Sequence, residues 1–251
     1  MKKLLLKNVW QTLAAVVFLI AVWFVAYLAV GNELLVPDFK DSLKEMGSLL
    51  VSAWFWKGWA LTMLRVALAF VLSFAVALPC AVIAYLRPTV GAFFAPIVSA
   101  LRSLPVLAVL LILLSFLSAG FAPVAVAFLS LYPLLYTGIL AAFSGIDRHL
   151  IEASRVCGAT WYTRVWRVYL PLSSPYVLRE AGGALSFALK LVVSAEVLAQ
   201  TARSLGGMMQ SAKVYGEIPQ LFALVCVSFV AGLVLELSMN ALALHAEKKI
   251  R

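Results

Sequence analysis

Apolar residues run through this chain in long unbroken blocks, not in the alternation of a half-buried strand. A helix needs about 20 mostly apolar residues to cross a hydrocarbon core of about 30 Å. Six blocks approach that length, near residues 9–30, 60–86, 93–116, 121–143, 177–198 and 221–244. Lipid-facing barrel strands would instead alternate over about ten residues. The pattern predicts an all-α membrane protein, one domain over residues 1–251, with about six transmembrane helices. Pro96, Arg102 and Pro105 interrupt the third block, which predicts a segment at one membrane face followed by a short or broken helix. Residues 31–59 are too polar to span. Leu43, Met46, Leu50 and Ala53 recur there at helical spacing, ahead of Trp54, Trp56 and Trp59. That segment reads as an amphipathic helix on the membrane surface, with its tryptophans in the interfacial belt. Anchoring is the plainer use of those rings, and contact with a partner protein is the alternative.

Residues 144–175 break the apolar pattern in a different way. The segment carries Arg148, Arg155, Arg164 and Arg167, so it belongs in water. Glu152, Ala153 and Ser154 can form a helical turn, and Gly158, followed by Ala159, can take the left-handed position that ends it. Thr160 can cap a second helix starting at Trp161. The expected product is a short helix-turn-helix leading through Leu170 and Pro171 into the next span.

Basic residues orient the chain. Lys2, Lys3, Lys7, Arg87, Lys248, Lys249 and Arg251 flank span ends on one side, which the positive-inside rule assigns to the cytoplasm, with both termini. An even number of spans puts residues 144–175 on that same side and residues 31–59 outside. On the outer side Lys40, Lys44, Lys57, Arg203 and Lys213 are nearly balanced by Glu33, Asp38, Asp41, Glu45 and Glu217. The net charge of +9 therefore expresses membrane orientation, and nothing calls for nucleic acid. The first apolar block is too long for a signal-peptide core and lacks a small-x-small cleavage site before Gly31, so it reads as a retained first span.

Ionisable groups inside the spans cost at least about 2.5 kcal/mol each at the bilayer centre, so they should pair or face a cavity. Arg65 and Glu196 lie at matching depth near the outer ends of the second and fifth spans, where they either share a polar network or reach the interface separately. Lys190 is deeper, roughly 22 Å along the fifth helix counted from Pro175. Ser186, Lys190 and Ser194 form one polar stripe; Ser228, Gly232, Glu236 and Asn240 form another in the sixth span. Two readings of Lys190 stay open: a cation lining a translocation path for an anionic or polar solute, or an interhelical bond, for example to Glu236.

Several chemistries find no support. The chain has no Gly-x-x-x-x-Gly-Lys-Ser/Thr phosphate cradle, so it is not expected to hydrolyse ATP. No Ser-His-Asp or Cys-His set converges on one face. His149 and His245 lack partners at metal-ligand spacing, and Cys80, Cys157 and Cys226 offer no disulfide framework. No catalytic, cofactor or metal site is expected in the chain itself.

Glu152, Ala153, Ser154, Gly158 and Leu170-Pro171 stand in the frame of the EAA loop of binding-protein-dependent ABC importer permeases, with Ser154 where the family has Ala. The chain resembles the nitrate, sulfonate and taurine branch of that family over residues 60–245. Arg102, Pro105 and Ala108 are similar to its Arg-x-x-Pro-x-x-Ala segment, and Gly145 and Asp147 to the Gly and Asp before its loop. Pro175-Tyr176, Arg65 and Glu196 fall where the branch carries the same residues, and Ser204-Leu205-Gly206 resembles its outer loop with one glycine missing. Lys190 departs from it, since that position is usually apolar. The resemblance implies the type I importer fold and a bacterial inner-membrane location. It implies two ATPase subunits carrying ATP and Mg on the cytoplasmic loops, a second permease copy forming a homodimer, and an external substrate-binding protein. The solute it implies is a small anion such as a sulfonate or nitrate, taurine, or a vitamin precursor. Two rivals differ in class: an ion-coupled secondary transporter using Lys190, Glu196 and Glu236 as a relay, and a multispanning scaffold or enzyme with a generic basic loop. No internal repeat supports the first.

Overall fold

The computed structural model describes residues 14, 17–18, 20–32 and 35–250. Among them every regular element is helical, as a hydrocarbon environment demands of a backbone that must satisfy its own polar groups. In chain order these are α1 (Ile20–Val30), α2 (Phe39–Val51), α3 (Ala53–Leu86), α4 (Pro88–Ser103), α5 (Val106–Leu114), α6 (Ala122–Ser144), α7 (Arg148–Val156), α8 (Trp161–Arg164), α9 (Leu170–Leu198), α10 (Leu205–Tyr215) and α11 (Ile218–Ile250). A single π-helical turn, Val165–Tyr169, joins α8 to α9, so Trp161–Leu198 runs as one continuous rod.

Four rods are long and apolar enough to cross a membrane: α3, α6, the α8–α9 rod and α11. The third expected span is broken, since α4 and α5 meet at 87°. The break falls at Leu104-Pro105, where proline removes an amide donor and excludes helical geometry from the residue before it; Leu104 is extended, with ψ 128°. The first expected span begins outside the described residues, and α1 is its described part.

Other expected elements sit differently. Helix α3 starts at Ala53, so Trp54, Trp56 and Trp59 ride on a spanning helix and do not end a surface helix. Helix α2 is separate and packs against α11. It buries Leu49 and Ser42, while Leu43 and Leu50 of the expected apolar face remain exposed. Asp38 caps its start, accepting from the Lys40 amide. Leu170 and Pro171 open α9, so the polar loop passes straight into helix. Helix α10, within a stretch that reads as loop, folds back against α3, α9 and α11.

The core is a seam of small residues. Thr62, Val66, Ala69, Ser73, Ala77, Ala81 and Ala84 follow one face of α3, and all are buried. Such side chains let backbones approach closely, which drives helix association where lipid tails are as apolar as the core. Leu131, Leu135, Ile139 and Phe143 of α6 fill the facing layer. The Ser73 hydroxyl reaches the Phe128 carbonyl across the seam at 3.3 Å.

Candidate functional site

Two ends of the bundle carry the polar chemistry. At the first, Arg65 on α3 and Glu196 on α9 are joined at 2.8 Å, with the Glu196 side chain fully buried. The Thr62 hydroxyl, three residues before Arg65 on the same face of α3, shares its hydrogen between the two Glu196 oxygens at 3.0 and 2.9 Å, and accepts the Leu205 amide at 3.0 Å. The Gly206 amide donates to Glu196 Oε2 at 3.2 Å. Arg65 Nε donates to the Gly120 carbonyl at 3.1 Å, and the Thr201 hydroxyl to the Ala119 carbonyl at 2.7 Å. Glu196 thus ties α3, α9 and α10 together, and Arg65 and Thr201 extend the network to the α5–α6 connection. A buried charge survives only when paired and hydrogen-bonded in this way.

Backbone geometry at this end is demanding. Gln200 and Arg203 both sit in the left-handed region, with φ 49° and 50°. Ser204 then caps α10, its Oγ accepting the Gly207 amide at 2.8 Å. Gly206 presses on α9 so closely that a Cβ there would lie 2.6 Å from both the Val193 carbonyl oxygen and the Val197 nitrogen. A cleft of about 410 Å³ opens beside this turn, walled by Trp54, Arg203, Gln210 and Tyr215 among others.

At the opposite end α7, Gly158 and α8 form the helix-turn-helix. Gly158 has φ 74°, and the Ala159 amide reaches back to the Ser154 carbonyl at 3.1 Å, the long bond of a Schellman ending. Thr160 accepts the Thr163 amide at 3.3 Å and caps α8. Ile151 anchors α7 in the core, whereas Glu152, Ala153, Val156 and Gly158 are exposed and Ser154 and Ala159 half-buried. The Ser154 hydroxyl donates to the Ile151 carbonyl at 2.6 Å, so Ser in place of Ala is satisfied within its own turn.

Between the two ends, α9 exposes one face bearing Glu180, Phe187, Lys190 and Ser194. The expected stripe is split: Ser186 turns inward and is buried, next to Gly232 of α11. Among the described residues Lys190 makes no ion pair, with Glu236 or any other carboxylate. Glu236 is half-buried, and its own backbone lies where α11 crosses Gly182 of α9. The polar partners that the sequence reading does not name are Thr62 and Thr201; Ser204, expected only as part of an outer loop, caps α10.

The family described as "Binding-protein-dependent transport system inner membrane component" matches residues 73–251. The chain is similar to the taurine transport system permease protein TauC of Escherichia coli (strain K12), at 26% identity over 243 residues, covering 94% of this chain and 88% of that one. It is likewise similar to a probable ABC transporter permease protein of Brucella melitensis biotype 1, at 29% identity over 232 residues, covering 91% and 90%. Its fold matches a solved bacterial alginate ABC transporter in complex with an alginate pentasaccharide-bound periplasmic protein. That match has TM-score 0.66 at 17% identity, over 93% of this chain and 94% of that one.

Proposed function

Since the chain belongs to the family of binding-protein-dependent transport system inner membrane components and is an ABC importer permease subunit, we propose that it carries a small anionic solute, of the sulfonate, nitrate or taurine kind or a vitamin precursor, across a bacterial inner membrane, driven by separate ATPase subunits. Two copies form the path, two ATPases binding ATP and Mg dock at the α7–α8 elbow, and an external binding protein loads the Glu196 end. Both termini lie in the cytoplasm with that elbow. Taurine transport is what the E. coli relative is named for, and a periplasmic protein bound to alginate pentasaccharide accompanies the alginate transporter.

The observation that carries the coupling reading is continuity. The exposed Glu152 helix turns at Gly158 into α8, which passes through the π turn into α9 without a break. A push on α7 is therefore delivered to the helix that bears Lys190. Lys190, exposed eight residues before the end of α9 at Leu198 and about 12 Å from it, offers the path a cation. The ion-relay rival draws less support, because Glu196 is fixed by Arg65, Thr62 and Gly206.

The test is ATP hydrolysis by the complex purified through this chain in lipid nanodiscs, with binding protein and candidate anions added. A co-purified ATPase whose stimulation falls at least about tenfold in Glu152→Ala, with assembly retained, supports the reading. A well-folded chain that brings down no ATPase overturns it.

A further inference from the structure

A cavity of about 730 Å³ opens at the Glu152 end, between the last turn of α3, α7 and the start of the α8–α9 rod. Arg87 and Arg164 line it, facing one carboxylate, Glu152, and the rings of Tyr85, Trp161 and Tyr169. Neither arginine is in an ion pair with any described residue. Arg164 Nε is sealed from solvent and has no hydrogen-bond partner. Leaving such a donor unmet costs about 1–3 kcal/mol, more for a charged group. Two guanidiniums against one carboxylate leave the cavity's described lining positive, with no described carboxylate paired to either arginine.

The cavity's depth narrows the chemistry. The expected second span ends at Leu86 and Arg87 directly after it reads as its cytoplasmic flank, which sets the cavity beside the boundary between hydrocarbon and headgroups. Its aromatic rings suit that boundary. Guanidinium forks match the oxygens of phosphate two at a time, and the volume falls in the ordinary range of small-molecule sites, about 300–1,000 Å³. We infer that this cavity binds a phosphate-type oxyanion, supplied by an anionic lipid headgroup or free in solution, which bridges the end of α3 to α8. The bound anion sets how firmly the elbow is held against the bundle. The inference needs only the membrane-spanning fold and not the transport reading.

The test uses the purified complex in nanodiscs of phosphatidylcholine alone. Phosphatidylglycerol is titrated into the discs in one arm and inorganic phosphate into the buffer, at constant ionic strength, in the other. Native mass spectrometry counts retained lipid, and the unfolding temperature reports binding. Wild type responds to at least one probe, and Arg87→Gln or Arg164→Gln weakens the apparent affinity about tenfold. Arg203→Gln at the far end responds like wild type. If Arg164→Gln does not fold, Arg164→Lys serves: it keeps the charge and removes the fork, and it also binds more weakly. A response to phosphatidylglycerol alone assigns a headgroup, and one to inorganic phosphate assigns a free anion. The inference falls if neither probe binds or if both arginine variants respond like wild type. It falls too if the response appears only once the ATPase is stripped away, which would give the cavity to a protein carboxylate. Absence of any ATPase would count against the transport reading and leave lipid retention measurable.

Discussion

The Glu196 end and the Glu152 end are both polar, yet they are built on opposite principles. Glu196 is fully buried and takes bonds from Arg65 and Thr62 of α3 and from Gly206 of α10, two stretches far apart in the chain. Glu152 is exposed, and α7 is held to the bundle mainly through Ile151 and its contact with the π turn. The first arrangement fixes the helices relative to one another, so any motion must carry that end as a block. The second leaves a rod with a free elbow, which suits an element that receives force from outside. The π turn and the prolines at 171 and 175 lie between the two, and both remove regular hydrogen bonds from the rod just where it enters the bundle.

Breaking the rigid end should give the largest effect. Arg65→Leu leaves Glu196 buried without its charge partner, which costs about 3–5 kcal/mol. Removing both charges in Arg65→Leu/Glu196→Leu should recover a good part of that loss, leaving the amide of Gly206 and the hydroxyl of Thr62 as the residual defect. Unfolding temperature in detergent reads both; a double variant less stable than the single one would contradict the account. Gly206→Ala should also destabilise strongly, because its methyl would meet backbone of α9 and not the yielding tip of a side chain.

At the flexible end the same measurements should separate stability from coupling. Gly158→Val forces a β-branched residue to φ 74°, at a cost of order 1–3 kcal/mol confined to the elbow. Unfolding temperature should move less than in Arg65→Leu, while ATPase retention on the purified chain drops. Normal solute-stimulated hydrolysis in this variant would refute the role of the turn. Thr160→Ala removes a cap worth about 1 kcal/mol. It should speed hydrogen exchange at the first amides of α8 and leave α6 unchanged.

How much of this contrast could be read in the residues depends on the physics behind each part. The elbow was legible because capping is local chemistry: Thr160, Gly158 and the turn before it lie within a few positions of one another. The Arg65–Glu196 pair was legible because charge is scarce in the spans and its depth can be counted. The break at Leu104-Pro105 was signalled by proline. What stayed hidden was packing. The α3 seam differs from its exposed face chiefly in size, since Ala69 and Ala77 are buried where Leu68 and Leu72 are exposed, and hydrophobic periodicity is blind to that difference; Thr62 and Ser73 add two hydroxyls to the seam. Ser186 and Lys190 share a helical spacing, yet α11 covers only the former. Helix α10 is hard to read because two glycines weaken its pattern, although Ser204 and the left-handed Gly216 bracket it as start and stop signals.

Lys190 offers the smallest expected effect on stability and the sharpest use of the contrast, because it lies on the same rod as both ends and belongs to neither. Its ammonium has no carboxylate partner among the described residues, so Lys190→Met removes no ion pair and fills similar space. If the exposed face of α9 lines a water-filled path, stability should change by no more than about 0.5 kcal/mol. If that face meets lipid, losing a charge there should stabilise by at least about 2.5 kcal/mol. The path reading also predicts a functional loss without a structural one: uptake of an anionic solute should need about tenfold more substrate for half-saturation, with ATPase docking intact. A marked gain in unfolding temperature with unchanged uptake would place Lys190 against lipid and remove it from the path.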